Sequence, residues 1–212
     1  MITFRGPRYV SRGGKKLEHA LSVFGTEVAG KVAVDAGSST GGFTDCLIRH
    51  GVSKVYAVDS GHNQLDYSLR TDERVIAMER TNIMEVECLN PKPHFATCDL
   101  SFRSIRRVAS HLIRITSDQL AIVLVKPQYE WKNPQSGFSG VIRDASVLID
   151  ILAQSLHDLE KEAAFVGNVT ESPIRGRRGN REFFFLLSST QKVDSSDAAR
   201  LVRKVVCLEG LP

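Results

Sequence analysis

The chain has 212 residues, of which 42% are hydrophobic and 25% are charged, values that argue against a disordered chain and for one folded domain. No apolar run approaches the roughly 18 residues that a membrane span needs, and the N-terminus lacks the apolar core of a signal peptide, so we expect a cytoplasmic protein. The four cysteines show no CxxC spacing, which predicts buried free thiols and no metal site.

The net charge is only +4, but nine of the 28 basic residues lie in two short glycine-containing segments, 5–16 and 175–181. Such clustering suits a phosphate backbone, although an ordinary solvated surface gives the same pattern. The candidate RNA-binding residues are Arg8, Arg12, Lys15, Arg175, Arg177, Arg178 and Arg181.

The first half of the chain alternates predicted helices and strands. In chain order these are a helix over 14–24, a strand over 31–34, a helix over 43–50, a strand over 54–58, a helix over 65–69 and a strand over 74–77. Leu17, Leu21 and Phe24 share one face of the first helix, and Gly25 ends it.

The second half continues this rhythm and then changes it. We predict a strand over 94–98, a helix from a cap at Ser101 to Ile115, a strand over 120–125, a polar loop over 128–140, a helix from Asp144 to 161, strands over 164–169 and 182–187, and a helix in the tail. Two strands in succession at the end predict a doubly wound, mostly parallel α/β sheet of seven strands with one reversed, a Rossmann-like fold.

In an open parallel sheet, ligands bind at the carboxyl ends of the strands, and here polar residues follow several strands. A glycine-rich turn follows the first strand, and Asp59, placed 22 residues after Gly37, can accept both hydroxyls of a ribose. The turn reads GSSTGG rather than GxGxxG and lacks the glycine that admits a pyrophosphate. This favours S-adenosylmethionine over a dinucleotide or a purely structural turn. The candidate cofactor-binding residues are Asp35, Gly37, Ser38, Ser39, Thr40, Gly41, Gly42, Phe43, Asp59, Asn82 and Asp99.

Asp99 and Lys126 follow neighbouring predicted strands, so their side chains are expected side by side over the cofactor. An ion pair at the sheet edge is one interpretation, and a proton-handling site for hydroxyl methylation is the other. A lysine is a general base only when its pKa is lowered, and a second lysine near Asp99 would lower it; Lys16 is the candidate.

Six blocks in order resemble the bacterial hemolysin A (TlyA) family of FtsJ-like ribosomal-RNA ribose 2′-O-methyltransferases. The blocks are YVSRGGKKL, DAGSSTGGFTD, ERTN, DLSF, VKPQYE and GNREFFF, and the resemblance covers about residues 9–187. It implies a tetrad of Lys16, Asp99, Lys126 and Glu182, with Lys126 nearest the ribose hydroxyl and alignment favouring Lys16 over Lys15. Asn82 in ERTN either meets the adenosine or caps a turn.

The resemblance implies S-adenosylmethionine as the cofactor, ribosomal RNA or a ribosomal subunit as the partner, and neither DNA nor a membrane. It divides the chain into a basic segment (1–14), a methyltransferase domain (15–190) and a tail (191–212). Family members usually begin with an S4-type RNA-binding domain, and the chain starts where the catalytic domain would, so RNA affinity is expected to depend on the two basic segments. The alternatives are a binding module without turnover and a pore-forming hemolysin.

Overall fold

The computed structural model describes residues 8–101, 104–134, 138–191 and 194–208. Its seven strands are β1 (Val32–Ala36), β2 (Lys54–Val58), β3 (Val75–Met78), β4 (Phe95–Cys98), β5 (Leu120–Val125), β6 (Phe165–Glu171) and β7 (Phe183–Ser188). They form one sheet in the order β3-β2-β1-β4-β5-β7-β6. β7 runs antiparallel to both of its neighbours, whereas the other pairs are parallel. The predicted seven-stranded Rossmann-like sheet is confirmed.

Helices cover both faces of this sheet. They are α1 (Gly13–Phe24), α2 (Gly42–Arg49), α3 (Tyr67–Arg70), α4 (Arg106–Arg114), α5 (Pro127–Glu130), α6 (Ala145–Lys161) and α7 (Ser195–Leu208), with a short 3-10 turn at Ile83–Glu85. Buried residues of α1, α2 and α3 form one core, and those of α4, α6 and α7 form the other. Successive strand residues alternate between these cores, which is why strands such as β1 are apolar nearly throughout.

The C-terminal helix belongs to the second of these cores. Ala198, Val202 and Val206 are buried there and form the apolar face of α7, in agreement with the helix predicted in the tail. The division of the chain into three segments stays a prediction.

The structure corrects four details of the sequence interpretation. Asp35 lies within β1 rather than after it. Ser101 does not cap α4, because the helix begins after Ile105. Residues 128–130 belong to α5, where Pro127 supplies a fixed φ suited to the first helical position. Two cysteines are exposed rather than buried, Cys88 and Cys207.

The topology defines one place where a ligand can enter between strands. The chain leaves β1 for β2 on one side, while β4 lies on the other side of β1, so the connections diverge at the carboxyl ends of β1 and β4. A crevice at this point is the usual ligand site of such sheets. Within the described ranges, no helix is both long and apolar enough to cross a bilayer.

Candidate functional site

The glycine-rich turn packs directly against the segment that follows β4. Gly37 has φ 80°, and a Cβ built there would lie 2.7 Å from the carbonyl oxygen of Asp99. A side chain at this position would therefore be strained by its backbone angle and would also displace the neighbouring backbone. Glycine at this position allows the turns after β1 and β4 to form the two walls of one crevice.

Asp35 was predicted to contact the cofactor, but the structure buries it within β1, and it is not among the residues that line the crevice. Its carboxylate is fully buried and accepts hydrogen bonds from the Thr44 hydroxyl at 2.7 Å and the Thr97 hydroxyl at 2.9 Å. Burial raises the pKa of Asp35 to about 6, and the two hydroxyls lower it only in part. Asp35 thus joins α2 and β4 to β1.

The wider part of the crevice is a cavity of about 500 Å³, within the size range of small-molecule sites. It is bordered by Gly37, Ser39, Asp59, Asn82 and Asp99, all of them predicted cofactor-binding residues. The Asp59 carboxylate accepts the amide hydrogens of Ser39 at 2.8 Å and Gly61 at 2.7 Å. Because each carboxylate oxygen has a second lone pair, Asp59 can still accept the two hydroxyls of a ribose.

Asn82 caps a turn, which is one of the two roles that the sequence left open. Its side-chain oxygen accepts the amide hydrogen of Met84 at 3.2 Å and so caps the turn at Ile83–Glu85. The same residue lines the wide cavity together with Ile83 and Met84. The cap therefore fixes a polar side chain at the edge of an apolar wall.

A narrower cavity of about 240 Å³ adjoins the wide one. Gly37, Ser39, Asp99 and Ser101 border both cavities. The remaining walls of the narrow cavity come from the start of α1, including Lys16, and from predicted turn residues, which are Ser38, Thr40, Gly42 and Phe43. Gly41 provides the N-cap of α2 at this turn.

Two lysine–carboxylate pairs meet at this narrow cavity. Lys126 Nζ lies 2.6 Å from Asp99 Oδ1 and donates to the carbonyl oxygen of Leu100 at 3.0 Å. Lys16 Nζ lies 2.5 Å from Glu182 Oε2. All four side chains are at least half-buried, and one member of each pair, Asp99 and Lys16, lines the cavity. The structure thus brings the four residues of the implied tetrad to one region, with Lys16 bonded to Glu182 rather than to Asp99.

A further carboxylate, which sequence reasoning did not select, holds the loop after β4. Glu130 is 2% exposed; its carboxylate accepts the Ser104 hydroxyl at 2.6 Å and the Ile105 amide at 2.9 Å. Burial raises its pKa, and the bonds from Ser104 and Ile105 oppose that rise. Arg106 also donates to the Glu130 carbonyl oxygen. The only local signal was a carboxylate four residues after Lys126, because the residues that Glu130 contacts, Ser104 and Ile105, are about 25 residues away in the sequence.

The predicted RNA-binding residues divide into two groups. Five are exposed and form no ion pair with any residue that the structure describes: Arg12, Lys15, Arg175, Arg177 and Arg178. The other two are paired within the fold. Arg8 contacts Glu18 at 2.6 Å on the surface. Arg181 is nearly buried, contacts Glu171 through several bonds and donates to the carbonyl oxygen of Val206 at 3.1 Å.

Another cavity, of about 640 Å³, lies outside this region. It is bordered by the outer side of α1 and the segment after it, including Lys15, His19 and Glu27. Its larger volume does not make it the better candidate, because it lies away from the carboxyl ends of the strands and contains none of the tetrad.

Comparison with known proteins identifies a family. The family model for FtsJ-like methyltransferase matches residues 9–189. The chain is 44% identical over 186 residues to YqxC of Bacillus subtilis, provisionally named an rRNA methyltransferase, which covers 85% of this chain and 66% of that protein. It is 40% identical over 194 residues to the 16S/23S rRNA (cytidine-2′-O)-methyltransferase TlyA of Mycobacterium tuberculosis, covering 88% of this chain and 71% of the relative.

A solved structure agrees with these relatives. A protein from Streptococcus thermophilus, provisionally named a hemolysin, superposes with a TM-score of 0.88 at 37% identity and covers 98% of this chain and 76% of its own. The chain thus spans about two thirds to three quarters of the length of the proteins it matches. The chain belongs to the FtsJ-like methyltransferase family, and its cofactor is S-adenosylmethionine.

Proposed function

We propose that this chain transfers the methyl group of S-adenosylmethionine to a ribose 2′-hydroxyl of ribosomal RNA in the cytoplasm. The observation that carries this proposal is the pair of adjoining cavities with Asp99 between them. The wide cavity has the glycine turn and the Asp59 carboxylate that a nucleoside cofactor requires. The narrow cavity has two lysine–carboxylate pairs at the place where an acceptor hydroxyl would approach.

The residues of the wide cavity fit the cofactor. Asp59 offers acceptors to its ribose, and Asn82 with its apolar neighbours borders the side expected for the adenine. The close packing of Gly37 against the Asp99 backbone brings the two walls of the cavity together, and a Cβ at Gly37 would push them apart. When bound, S-adenosylmethionine supplies an electrophilic methyl group on a sulfonium.

The chemistry left to the protein is alignment of the hydroxyl and removal of its proton. S-adenosylmethionine would supply the methyl group, with its sulfur as the leaving group. Lys126 and Asp99, 2.6 Å apart, would hold the hydroxyl, and the Asp99 carboxylate would take up its proton. Lys16, held by Glu182, borders the narrow cavity and orients the nucleotide. Most of the rate enhancement comes from proximity and in-line geometry.

Ribosomal RNA is proposed as the substrate on two grounds. The M. tuberculosis relative carries that substrate in its name and is similar over 88% of this chain. In addition, Arg12 lines the narrow cavity, and Arg175, Arg177 and Arg178 are exposed on the loop that leads to Glu182. Unpaired arginines beside an acceptor site suit a phosphate backbone.

Substitution of Lys126 tests the proposal. We expect Lys126→Ala to abolish transfer of radiolabelled methyl groups to ribosomal RNA and to weaken S-adenosylmethionine binding far less, because Lys126 does not itself line the wide cavity, although its partner Asp99 does. Lys132→Ala is the matched control, since Lys132 is a half-exposed lysine paired with Asp158 instead. Unchanged transfer by Lys126→Ala would refute the mechanism. Cofactor binding by the wild-type protein without transfer to any ribosomal RNA or subunit would instead indicate a binding module without turnover.

A further inference from the structure

The side chain of Asn180 joins two loops that are distant in sequence. It is 4% exposed, its amide donates to the carbonyl oxygen of Gly140 at 2.7 Å, and its oxygen accepts the amide hydrogen of Ile142 at 3.0 Å. Both functional groups of a buried side chain are therefore used to hold residues 140–142 against the segment that carries Asn180. A buried amide with both groups satisfied fixes the relative position of the two segments.

The backbone around Asn180 closes the basic loop, which we define as residues 172–182. The Asn180 carbonyl accepts the amide hydrogen of Gly176 at 2.9 Å, and the Ser172 amide donates to the Glu182 carbonyl at 2.8 Å at the base of the loop. A Cβ at Gly176 would lie 2.4 Å from Glu182 Oε1, so the loop is folded closely onto the carboxylate that holds Lys16. The basic loop is thus a compact element beside the narrow cavity.

The segment fastened by Asn180 carries an arginine that the sequence motifs did not single out. Arg143 directly follows Ile142, is exposed, and forms no ion pair with any residue of the described ranges. The two loops also approach each other through Arg178, because a Cβ at Gly140 would lie 3.2 Å from its Nη1. Arg143 therefore adds a positive charge next to the exposed arginines of the basic loop, Arg175, Arg177 and Arg178.

We propose that residues 140–143 form one RNA-binding surface with the basic loop, in which Arg143 contacts a phosphate and Asn180 is the residue that positions it there. This inference rests on the proposed function, since the phosphate is one of the RNA substrate. Four exposed arginines on two mutually fastened loops give a phosphate backbone a fixed set of partners. A single flexible loop would lose more conformational entropy on binding.

Salt-dependent RNA binding tests this proposal. Binding of a fluorescein-labelled, mixed-sequence single-stranded RNA is measured by anisotropy over a series of KCl concentrations. We expect Arg143→Ala to weaken binding several-fold and to reduce the slope of log K against log[KCl] by about 0.7, the value for one lost phosphate contact on a single strand. Arg114→Ala is the matched control, because Arg114 is an exposed arginine in the last turn of α4, which lies at the amino ends of β4 and β5 rather than at the carboxyl ends of the strands. It should leave both quantities unchanged.

The role of Asn180 is tested by combining the substitutions. Asn180→Ala should weaken RNA binding without changing S-adenosylmethionine affinity, and adding Arg143→Ala should then have little further effect. Full additivity of the two changes would refute the positioning role, and an unchanged salt slope for Arg143→Ala would refute the surface. If Asn180→Ala does not fold, Arg143→Ala alone decides, since its side chain is exposed. If the wild-type protein binds no RNA, the proposed substrate itself is refuted. If the wild-type protein binds and methylates RNA but Arg143→Ala binds RNA as tightly as the wild type, only this inference is refuted.

Discussion

The buried carboxylate of Asp35 makes a prediction about stability that depends on pH. Among the residues that the structure describes, Asp35 accepts hydrogen bonds from Thr44 and Thr97 and has no cationic partner. Burial outweighs these two hydroxyls and raises its pKa from 3.8 to about 6. We therefore expect Asp35→Asn, which keeps the shape and removes the charge, to change the pH dependence of unfolding.

Proton linkage gives the direction and the size of the expected change in the free energy of unfolding. Because the pKa is higher in the folded protein, the folded state binds more protons than the unfolded state between about pH 4 and pH 6. The stabilisation from the protonated group is complete below about pH 4 and is lost as the pH rises through about 6. Raising the pKa of Asp35 from 3.8 to about 6 on folding corresponds to roughly 3 kcal/mol of free energy of unfolding. The free energy of unfolding of Asp35→Asn, minus that of the wild type, should rise by about this amount between about pH 4 and pH 8.

Urea denaturation followed by fluorescence over this pH range measures the difference. Taking the difference between variant and wild type removes the titration of groups that both proteins share. Asp66→Asn is a control of opposite sign, because the hydrogen bonds from Ser68 lower the pKa of Asp66. A difference for Asp35→Asn that does not vary with pH would refute the conclusion that burial governs this carboxylate.

Two further predictions concern the turn after β1 and the loop after β4, which pack against each other. Gly37→Ala should lower the free energy of unfolding and weaken S-adenosylmethionine binding in calorimetric titration, because it adds a backbone clash to a positive φ. Gly25→Ala is the control: with φ 60° and nothing within 4 Å, it should lower the free energy of unfolding by only about 1–2 kcal/mol, the cost of the φ strain. Equal losses of stability in the two variants would contradict the clash at Gly37. Glu130→Ala should lower the free energy of unfolding by about 2–4 kcal/mol and reduce methyl transfer, because it leaves the buried donors of Ser104 and Ile105 unpaired. Ser104→Ala, which removes only one of these hydrogen bonds, should lower it by about 1 kcal/mol. A loss for Glu130→Ala no larger than that for Ser104→Ala would contradict the conclusion that Glu130 holds this loop.

The strand ends explain how much of the site could be predicted. Asp99 and Lys126 follow β4 and β5, which are adjacent and parallel, so alternation of strand and helix was enough to predict their proximity. The family, the fold and the cofactor were predicted and are confirmed. Asp35 was misplaced because the end of a strand is set by pairing with β2 and β4, and this pairing extends one residue beyond the aspartate, to Ala36.

Contacts between distant segments account for the rest. Lys16 and Glu182 are separated by 166 residues, and resemblance to a family, rather than local pattern, connected them. The sequence pattern could not distinguish Arg181 from Arg178. Arg181 is paired with Glu171, and this contact arises only because β6 lies beside β7 in the folded sheet. Similarly, Glu130 meets Ser104 only after the sheet has formed.

The loop after β4 links these observations into one account of the site. Lys126 holds its beginning through Asp99 and Leu100, and Glu130 holds its end through Ser104 and Ile105. Both residues belong to the segment after β5, in which Lys126 is the N-cap of the short helix α5 and Glu130 is its last residue. Since Asp99 borders both the wide and the narrow cavity, a movement of this loop would alter both at once. If the wide cavity holds the methyl donor and the narrow cavity the acceptor, as we propose, fixing the loop from two points on one segment keeps donor and acceptor aligned for in-line transfer.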